Sequence, residues 1–342
     1  MAVLPDSPTG ENGAIQSRQF NDLRVAALCG GVGAARFLQG AQKVCDPSKI
    51  TAITNVGDDC VAHGLHISPD LDTILYTLAG RHDDVRGWGQ RDETWNTLGA
   101  LGELGQPTWF QLGDRDIATH LFRTDRLRGG DTLTFVSREL CRRFRVKVDL
   151  IPATNDRIET FVTIADAGEV SFQEYFVQLR HGVPITKVRF QGASVAKLSN
   201  DAVNAVMDAD VIVLCPSNPI LSLDPLFAIG ECTELSMREL VRSRRDRVVA
   251  ISPLVGGRAI KGPAERIMRE LGLRPDALGI ATYYRDLISM MVIDDADAQL
   301  ADEIESLGIR CVVTDTMMTS IEASTALAEF TFDQTTTIAR AL

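Results

Sequence analysis

The stretch Arg24–Phe37, RVAALCGGVGAARF, decides the fold class. Val25 to Cys29 are uniformly apolar, the mark of a strand covered on both faces. Gly30, Gly31 and Gly33 follow at once, and a helical period runs from Gly33 to Lys43. Strand, glycine turn and helix together open a doubly wound α/β sheet. Glycines let the backbone turn tightly and bring amides against an anion, and the helix N-terminus adds a favourable dipole. A phosphate site is expected here. It is not a Walker A loop, because no Gly-Lys-Ser/Thr follows. It is a poor dinucleotide fingerprint, because Arg36 stands where glycine or alanine is required. Arg36 is left to hold a phosphate or to face solvent.

Outward from this unit, Ile50–Asn55, Val211–Cys215, Val248–Ser252 and Cys311–Thr314 repeat the short apolar run. Helices are expected over Leu71–Ala79 and Arg91–Leu104. The alternation predicts right-handed βαβ units and a mainly parallel sheet. The region from 146 to 192 differs. Val146–Ile151, Thr160–Ala165, Val170–Phe176 and Thr186–Phe190 read as closely spaced strands, with a hairpin turn at Asp166–Gly168. They are expected to form a β-rich insertion or cap. Residues 1–23 read as a solvated, disordered tail, and 24–342 as a single domain.

A chain of 342 residues with 45% hydrophobic content can bury a sizeable core. Its net charge of −11 and pI near 5.0 argue against nucleic acid as a partner. No apolar run approaches the ~18 residues of a membrane helix, and no secretory h-region is apparent. The seven cysteines are odd in number and contain no C-x-x-C pair. Cys29, Cys215 and Cys311 lie in apolar runs and read as small core residues. A reducing cytoplasm is the expected compartment.

The second strand runs into Thr54-Asn55-Val56-Gly57-Asp58-Asp59, and Ser68-Pro69-Asp70-Leu71-Asp72 follows. Ligands of open α/β sheets bind at this strand edge. Capping by Ser68 or Asp70 accounts for one or two of these side chains. Asp58, Asp59, Asp70 and Asp72 together exceed what capping needs. Carboxylates beside a phosphate loop suit Mg²⁺, which takes one or two of them and completes its shell with water and substrate phosphate. His63 and His66 have zinc-like spacing but no third soft ligand nearby, so ordinary polar roles are expected.

Three further loops carry candidates. Gly113-Asp114-Arg115-Asp116 opens a helix holding Thr119, His120 and Arg123, and reads either as a capped helix start or as a polyol or phosphate contact through Arg115. Pro216-Ser217-Asn218-Pro219 follows the strand ending at Cys215. Ser252–Ala264 contains Gly256-Gly257, Arg258 and Lys261, and follows the strand ending at Ser252. With the glycine turn after the first strand, the last two make three such loops after three strands, and they point to one shared anion site.

The runs GGVGAARF, TNVGDD, HGLHISPDLDTILYTLAG, GWGQRDETWN, QLGDRDIATHLFR, PSNPI, SPLVGGRAIKGPA and TDTMMTS resemble the 2-phospho-L-lactate transferase family of coenzyme F420 biosynthesis. The likeness spans roughly residues 24 to 335. GWGQRDETWN and PTWFQLGDRD look closer to the bacterial branch, whose actinobacterial members use a phosphoenolpyruvyl donor. The resemblance implies a Rossmann-like three-layer α/β/α sandwich, often dimeric. It implies a Mg²⁺-dependent transfer of a phospho-carboxylic acid from a GDP-linked donor to the ribityl hydroxyl of the deazaflavin Fo, with GMP leaving. On this match Asp58 and Asp72, ahead of Asp59, hold Mg²⁺. Gly30, Gly31, Gly33, Ser217 and Asn218 hold the guanosine diphosphate, with Gly256 and Gly257 near it. Asp70, Gln111, Asp114 and Arg115 lie near Fo. Many archaeal members carry Lys where this chain has Gln111. Asp70 is the expected base and Arg115 the expected catalytic cation.

Two other functions fit parts of the sequence. One is a nucleotide-binding regulatory protein of the same fold without Fo chemistry, against which the Gly113–His120 block and GWGQRDETWN speak. The other is an NAD-dependent oxidoreductase, against which Arg36 and the missing ribose-binding acid near position 50 speak.

Overall fold

A computed structural model describes residues 20–165 and 168–339. The first elements are β1 (Val25–Cys29), α1 (Gly31–Val44), β2 (Ile50–Thr54), β3 (Cys60–Ala62), β4 (Leu65–Ile67) and α2 (Pro69–Leu78). Three helices follow: α3 (Asn96–Glu103), α4 (Asp114–Arg128) and α5 (Leu133–Phe144). The later strands are β5 (Asp149–Pro152), β6 (Glu159–Ile164), β7 (Gly168–Ser171), β8 (Ile185–Gln191), β9 (Val211–Leu214) and β10 (Val248–Ile251). β11 (Leu254–Val255), β12 (Arg258–Ala259), β13 (Met290–Ile293) and β14 (Arg310–Val313) complete them.

The main sheet has seven parallel strands in the order β14-β13-β10-β9-β1-β2-β5. Every residue of β1, β9, β10 and β13 is buried, so helices cover both faces, as uniformly apolar strands require. Burying a side chain such as Leu28 stabilises the fold by roughly 1.5–3 kcal/mol. Strand order runs one way from β1 to β5 and the other way from β9 to β14. The reversal between β1 and β9 opens a crevice at their C-terminal ends.

α1 packs on the C-terminal helix Ile321–Ala339 so closely that a Cβ on Gly40 would lie 2.1 Å from the Ser324 carbonyl oxygen. The cysteine reading holds for Cys29 and Cys215, which are buried with sulfurs 3.7 Å apart, while Cys311 is only partly buried.

Several expectations need correction. Val146–Ile151 does not belong to the insertion. Its C-terminal half forms β5, the edge of the main sheet, because Leu150 and Ile151 pair beside β2 and bury there. The cap is the antiparallel sheet β7-β6-β8 with the helical turn and loop that join β7 to β8. Val170–Phe176 is a strand only to Ser171, after which Glu174–Gln178 turns helically. Arg91–Leu104 is helical only over Asn96–Glu103, since Asp92 adopts a left-handed φ of 57° and Asp114 caps the helix start. Residues 1–19 of the expected tail lie outside the described residues. Phe20, by contrast, is buried against Phe332. Asp166 and Ala167 of the expected hairpin turn also lie outside the described residues, and Ile164 pairs with Gly168 around them.

Candidate active site

The crevice at the strand reversal is a cleft of about 860 Å³. Gly30, Gly31, Gly33, Asp58, Asp70, Asp72, Gln111, Ser217 and Asn218, all expected from the sequence, border it. The three loops after β1, β9 and β10 do converge there.

The glycine turn is shaped by close approach. Gly31 has φ +70°, and a Cβ on Gly33 would lie 2.0 Å from the Pro216 carbonyl oxygen. The Ser217 hydroxyl donates to the Gly30 carbonyl at 2.7 Å, tying the β1 loop to the β9 loop. Asn218 accepts from the amides of Ile220 and Leu221 at 3.0 and 3.1 Å. The turn is not an empty phosphate cradle. Asp70, in the first turn of α2, reaches across so that a Cβ on Gly30 would lie 3.0 Å from its Oδ2.

Asp70 is 7% exposed, and its carboxyl is pushed up to about 7, chiefly by burial. Asn55 Nδ2, donating to Asp70 Oδ2 at 3.0 Å, and the Gly31 amide pull the other way. Asp58 is held well above the ordinary carboxylate range by burial and then by repulsion from Asp70. Its Oδ1 is buried without a partner. Asp59 faces away. Its Oδ2 accepts from Ser68 Oγ at 2.7 Å and lies 2.9 Å from His66 Nε2, the ordinary polar role expected of that histidine.

Asp72 is not placed as a free metal ligand. Both of its oxygens are bound by Arg123, Oδ1 to Nη2 and Oδ2 to Nη1 at 3.1 Å. This pair is buried beneath the cleft, with Arg123 only 1% exposed. Asp116 borders the cleft and is pushed up to about 7 by burial and by Asp72. His120 also borders it, and its ring is drawn down to about 4 by burial.

Asp114 and Arg115 do not border the cleft. The Asp114 carboxylate accepts from Thr94 Oγ1 at 2.6 Å and from the Asn96 and Thr97 amides at 3.2 and 3.0 Å. These donors hold it below the ordinary range, and it serves as the cap of α3. Arg115 Nη1 donates to the Arg91 carbonyl at 2.9 Å. The turn does not cap its own helix: Glu93 accepts from the Arg115 and Asp116 amides at 2.8 and 3.0 Å, and Asp114 caps the neighbouring α3 instead. Gly256 and Gly257 also stand back from the cleft. With φ of +56° and +70° they form the turn between β11 and β12, and Asp297 accepts from the Gly256 amide at 2.9 Å.

Arg36 and Lys261 do border the cleft. Arg36 Nη1 donates to the Met318 carbonyl at 2.7 Å. Burial and Arg36 draw the Lys261 ammonium below its ordinary range. Neither cation has an ion-pair partner among the described residues. The sequence reading did not assign the cap's contribution. Phe172, Phe176 and His181 stack along the cleft wall at 5.2 and 5.0 Å, and Gln173 Nε2 donates to the Asp58 carbonyl at 2.8 Å. No local signal marks a contact made 115 residues away.

The donor set suits a hard cation. Among the described residues no group of three or more His, Cys, Asp or Glu side chains could hold a metal alone. Mg²⁺ does not need one when substrate phosphate and water complete its shell. The unpartnered oxygen of Asp58 fits that requirement, and the occupied carboxylate of Asp72 does not. No helix among the described residues is long and apolar enough to cross a membrane.

Comparison with known proteins agrees with this architecture. The family model described as 2-phospho-L-lactate transferase CofD matches residues 25–329. A phosphoenolpyruvate transferase of Streptomyces griseus is 39% identical over 311 residues, covering 90% of this chain and 96% of that one. One from Mycolicibacterium smegmatis is 36% identical over 326 residues, covering 91% and 98%. A solved structure of a UPF0052 family member from Bacillus halodurans superposes with a TM-score of 0.56 at 16% identity, covering 91% of this chain and 98% of that one.

Proposed function

Because the chain belongs to the 2-phospho-L-lactate transferase family, we propose that it moves a phospho-carboxylic-acid group from a GDP-linked donor to the ribityl hydroxyl of the deazaflavin Fo, releasing GMP. The step belongs to coenzyme F420 biosynthesis, in the cytoplasm, and the active form is a homodimer. The observation that carries the reading is the position of Asp70, a buried carboxylate between the glycine turn and Asp58 on the wall of the cleft.

Phosphoryl-type transfer depends on positioning and charge neutralisation more than on covalent chemistry. Arg36 and Lys261 hold the donor diphosphate, as two cleft cations without carboxylate partners. The amides around Gly31 and the loop Ser217-Asn218 orient the nucleotide. Asp58 would hold Mg²⁺, which would supply charge neutralisation for the departing phosphate. Asp70 accepts the proton of the attacking hydroxyl, within the reach and basicity of a general base. Gln111 and the aromatic wall of the cap receive the acceptor.

The test is to supply phospholactyl, phosphoenolpyruvyl and phosphoglyceryl donors, each guanylylated, with Fo and Mg²⁺, and to weigh the product. A mass corresponding to one phospho-acid joined to Fo as a phosphodiester, with GMP released, is expected. Fo recovered unchanged with all three donors refutes the transferase reading and favours the regulatory alternative.

A further inference from the structure

The Asp72–Arg123 pair leaves Arg123 Nη1 close to a third group, His120 Nδ1, at 3.1 Å. Arginine carries donors and no acceptor. Nδ1 is therefore the bare nitrogen, and the neutral ring carries its proton on Nε2. Arg123 is fixed in place. Both oxygens of Asp72 bind it, and the His66 carbonyl accepts more weakly at 3.4 Å. His120 precedes Arg123 by three residues on α4, so both side chains lie on one helix face. The ring is 2% exposed and borders the cleft, and its Nε2 has no protein partner among the described residues.

We propose that His120 binds the acceptor substrate, donating from Nε2 to one of its uncharged oxygens, a carbonyl or a hydroxyl. Arg123 and Asp72 are positioning residues that set the tautomer. Asp116 borders the cleft with His120 and its Oδ1 is buried without a partner, while the Asp72 charge is already met by Arg123. Such surroundings disfavour a phosphate and suit a neutral oxygen. The identity of the substrate rests on the transferase reading, whereas the tautomer does not. The proposal also gives Asp72 a role without a metal, as the anchor of Arg123.

Long-range ¹⁵N–¹H correlation on the full chain with ¹⁵N-labelled histidine reads the tautomer without substrate. The resonance that disappears in His120→Gln is expected to show the Nε2–H pattern, and an Nδ1–H pattern overturns the proposal. In steady-state kinetics His120→Ala should raise the KM for Fo about 3- to 10-fold, the worth of one neutral hydrogen bond, with the donor KM unchanged. His120→Gln, whose amide N–H reaches the Nε2 position, should restore the Fo KM to within about 2-fold. An unchanged Fo KM in His120→Ala, or a donor KM that moves instead, overturns the proposal. A wild-type chain that fails to bind Fo in a fluorescence titration sinks the transferase reading and with it the substrate assigned here. The histidine spectrum separates that failure from a wrong tautomer.

Discussion

Asn55 and Asp70 are joined by a hydrogen bond of 3.0 Å from Nδ2 to Oδ2, and the other end of the same amide accepts from the Gly57 amide at 2.7 Å. One fully buried side chain thus sets both the direction of the Asp70 carboxylate and the course of the loop carrying Asp58. Asn55→Ala removes both constraints. Turnover should fall about 10- to 100-fold, as misplaced reacting groups commonly cost. The far-ultraviolet circular dichroism should be unchanged. Wild-type turnover in Asn55→Ala would mean that Asp70 is not the base.

The contrasting surroundings of Asp58, Asp70 and Asp72 separate their variants. Asp58→Asn should raise the Mg²⁺ concentration for half-maximal rate at least about 10-fold. Asp70→Asn should leave that concentration unchanged and lower turnover by roughly 100- to 10,000-fold. Asp72→Asn strands the buried Arg123 charge and should cost about 3–5 kcal/mol of stability, read as a lower urea midpoint. An unshifted midpoint in Asp72→Asn would show that Arg123 finds compensation elsewhere.

The cations of the cleft should be distinguishable from the cation of the α4 turn. Arg36→Ala and Lys261→Ala should each raise the donor KM about 10- to 100-fold, the worth of a charge-assisted hydrogen bond. Arg115→Ala, whose guanidinium bonds a backbone carbonyl away from the cleft, should move it less than about 3-fold. A larger effect of Arg115→Ala than of Arg36→Ala would reverse the assignment.

Asp224 supplies a pH dependence remote from the cleft. Burial pushes its carboxyl up to about 7, although the Tyr283 hydroxyl donates to it at 2.5 Å. Its folded value exceeds its unfolded value near 3.8, so the folded state binds the proton more tightly. This contribution is fully present below pH ~4 and is lost as pH rises towards 7. Asp224→Asn keeps the shape without the titration and should gain on the order of a few kcal/mol relative to wild type at pH 8 compared with pH 4. Parallel stability curves for the two proteins across that range would contradict the burial argument.

Much of this architecture was legible in local patterns. Val25–Cys29 announced a doubly covered strand, and Gly30, Gly31 and Gly33 announced the turn, because both effects act over a few residues. β5 was legible as a strand but not as part of the main sheet, since pairing partners are not encoded in periodicity. β13 was not singled out at all. Met290-Met291-Val292-Ile293 is a run of four, too short to separate from a buried helix segment. The site divided in the same way. Asp70 was recognisable from its place after a strand end. Arg123, which satisfies Asp72 from 51 residues away, was invisible as its partner, and Asp72 looked free for a metal. Arg115 misled because a helix-capping turn and a polyol contact use the same residue types.

The strand order carries a consequence for synthesis. β1 seats between β2 and β9, and Cys29 meets Cys215 across a separation of 186 residues. A growing chain can pair β1 with β2 early, but one edge of β1 stays bare until the entire cap and β9 have left the ribosome. That open, apolar edge is a template for mispairing. Closing so long a loop is also slow relative to local folding. The crevice therefore comes into existence late. An amino-terminal fragment ending before Val211 contains the glycine turn and every acidic residue of the site, yet it lacks the wall that turns them into a cleft.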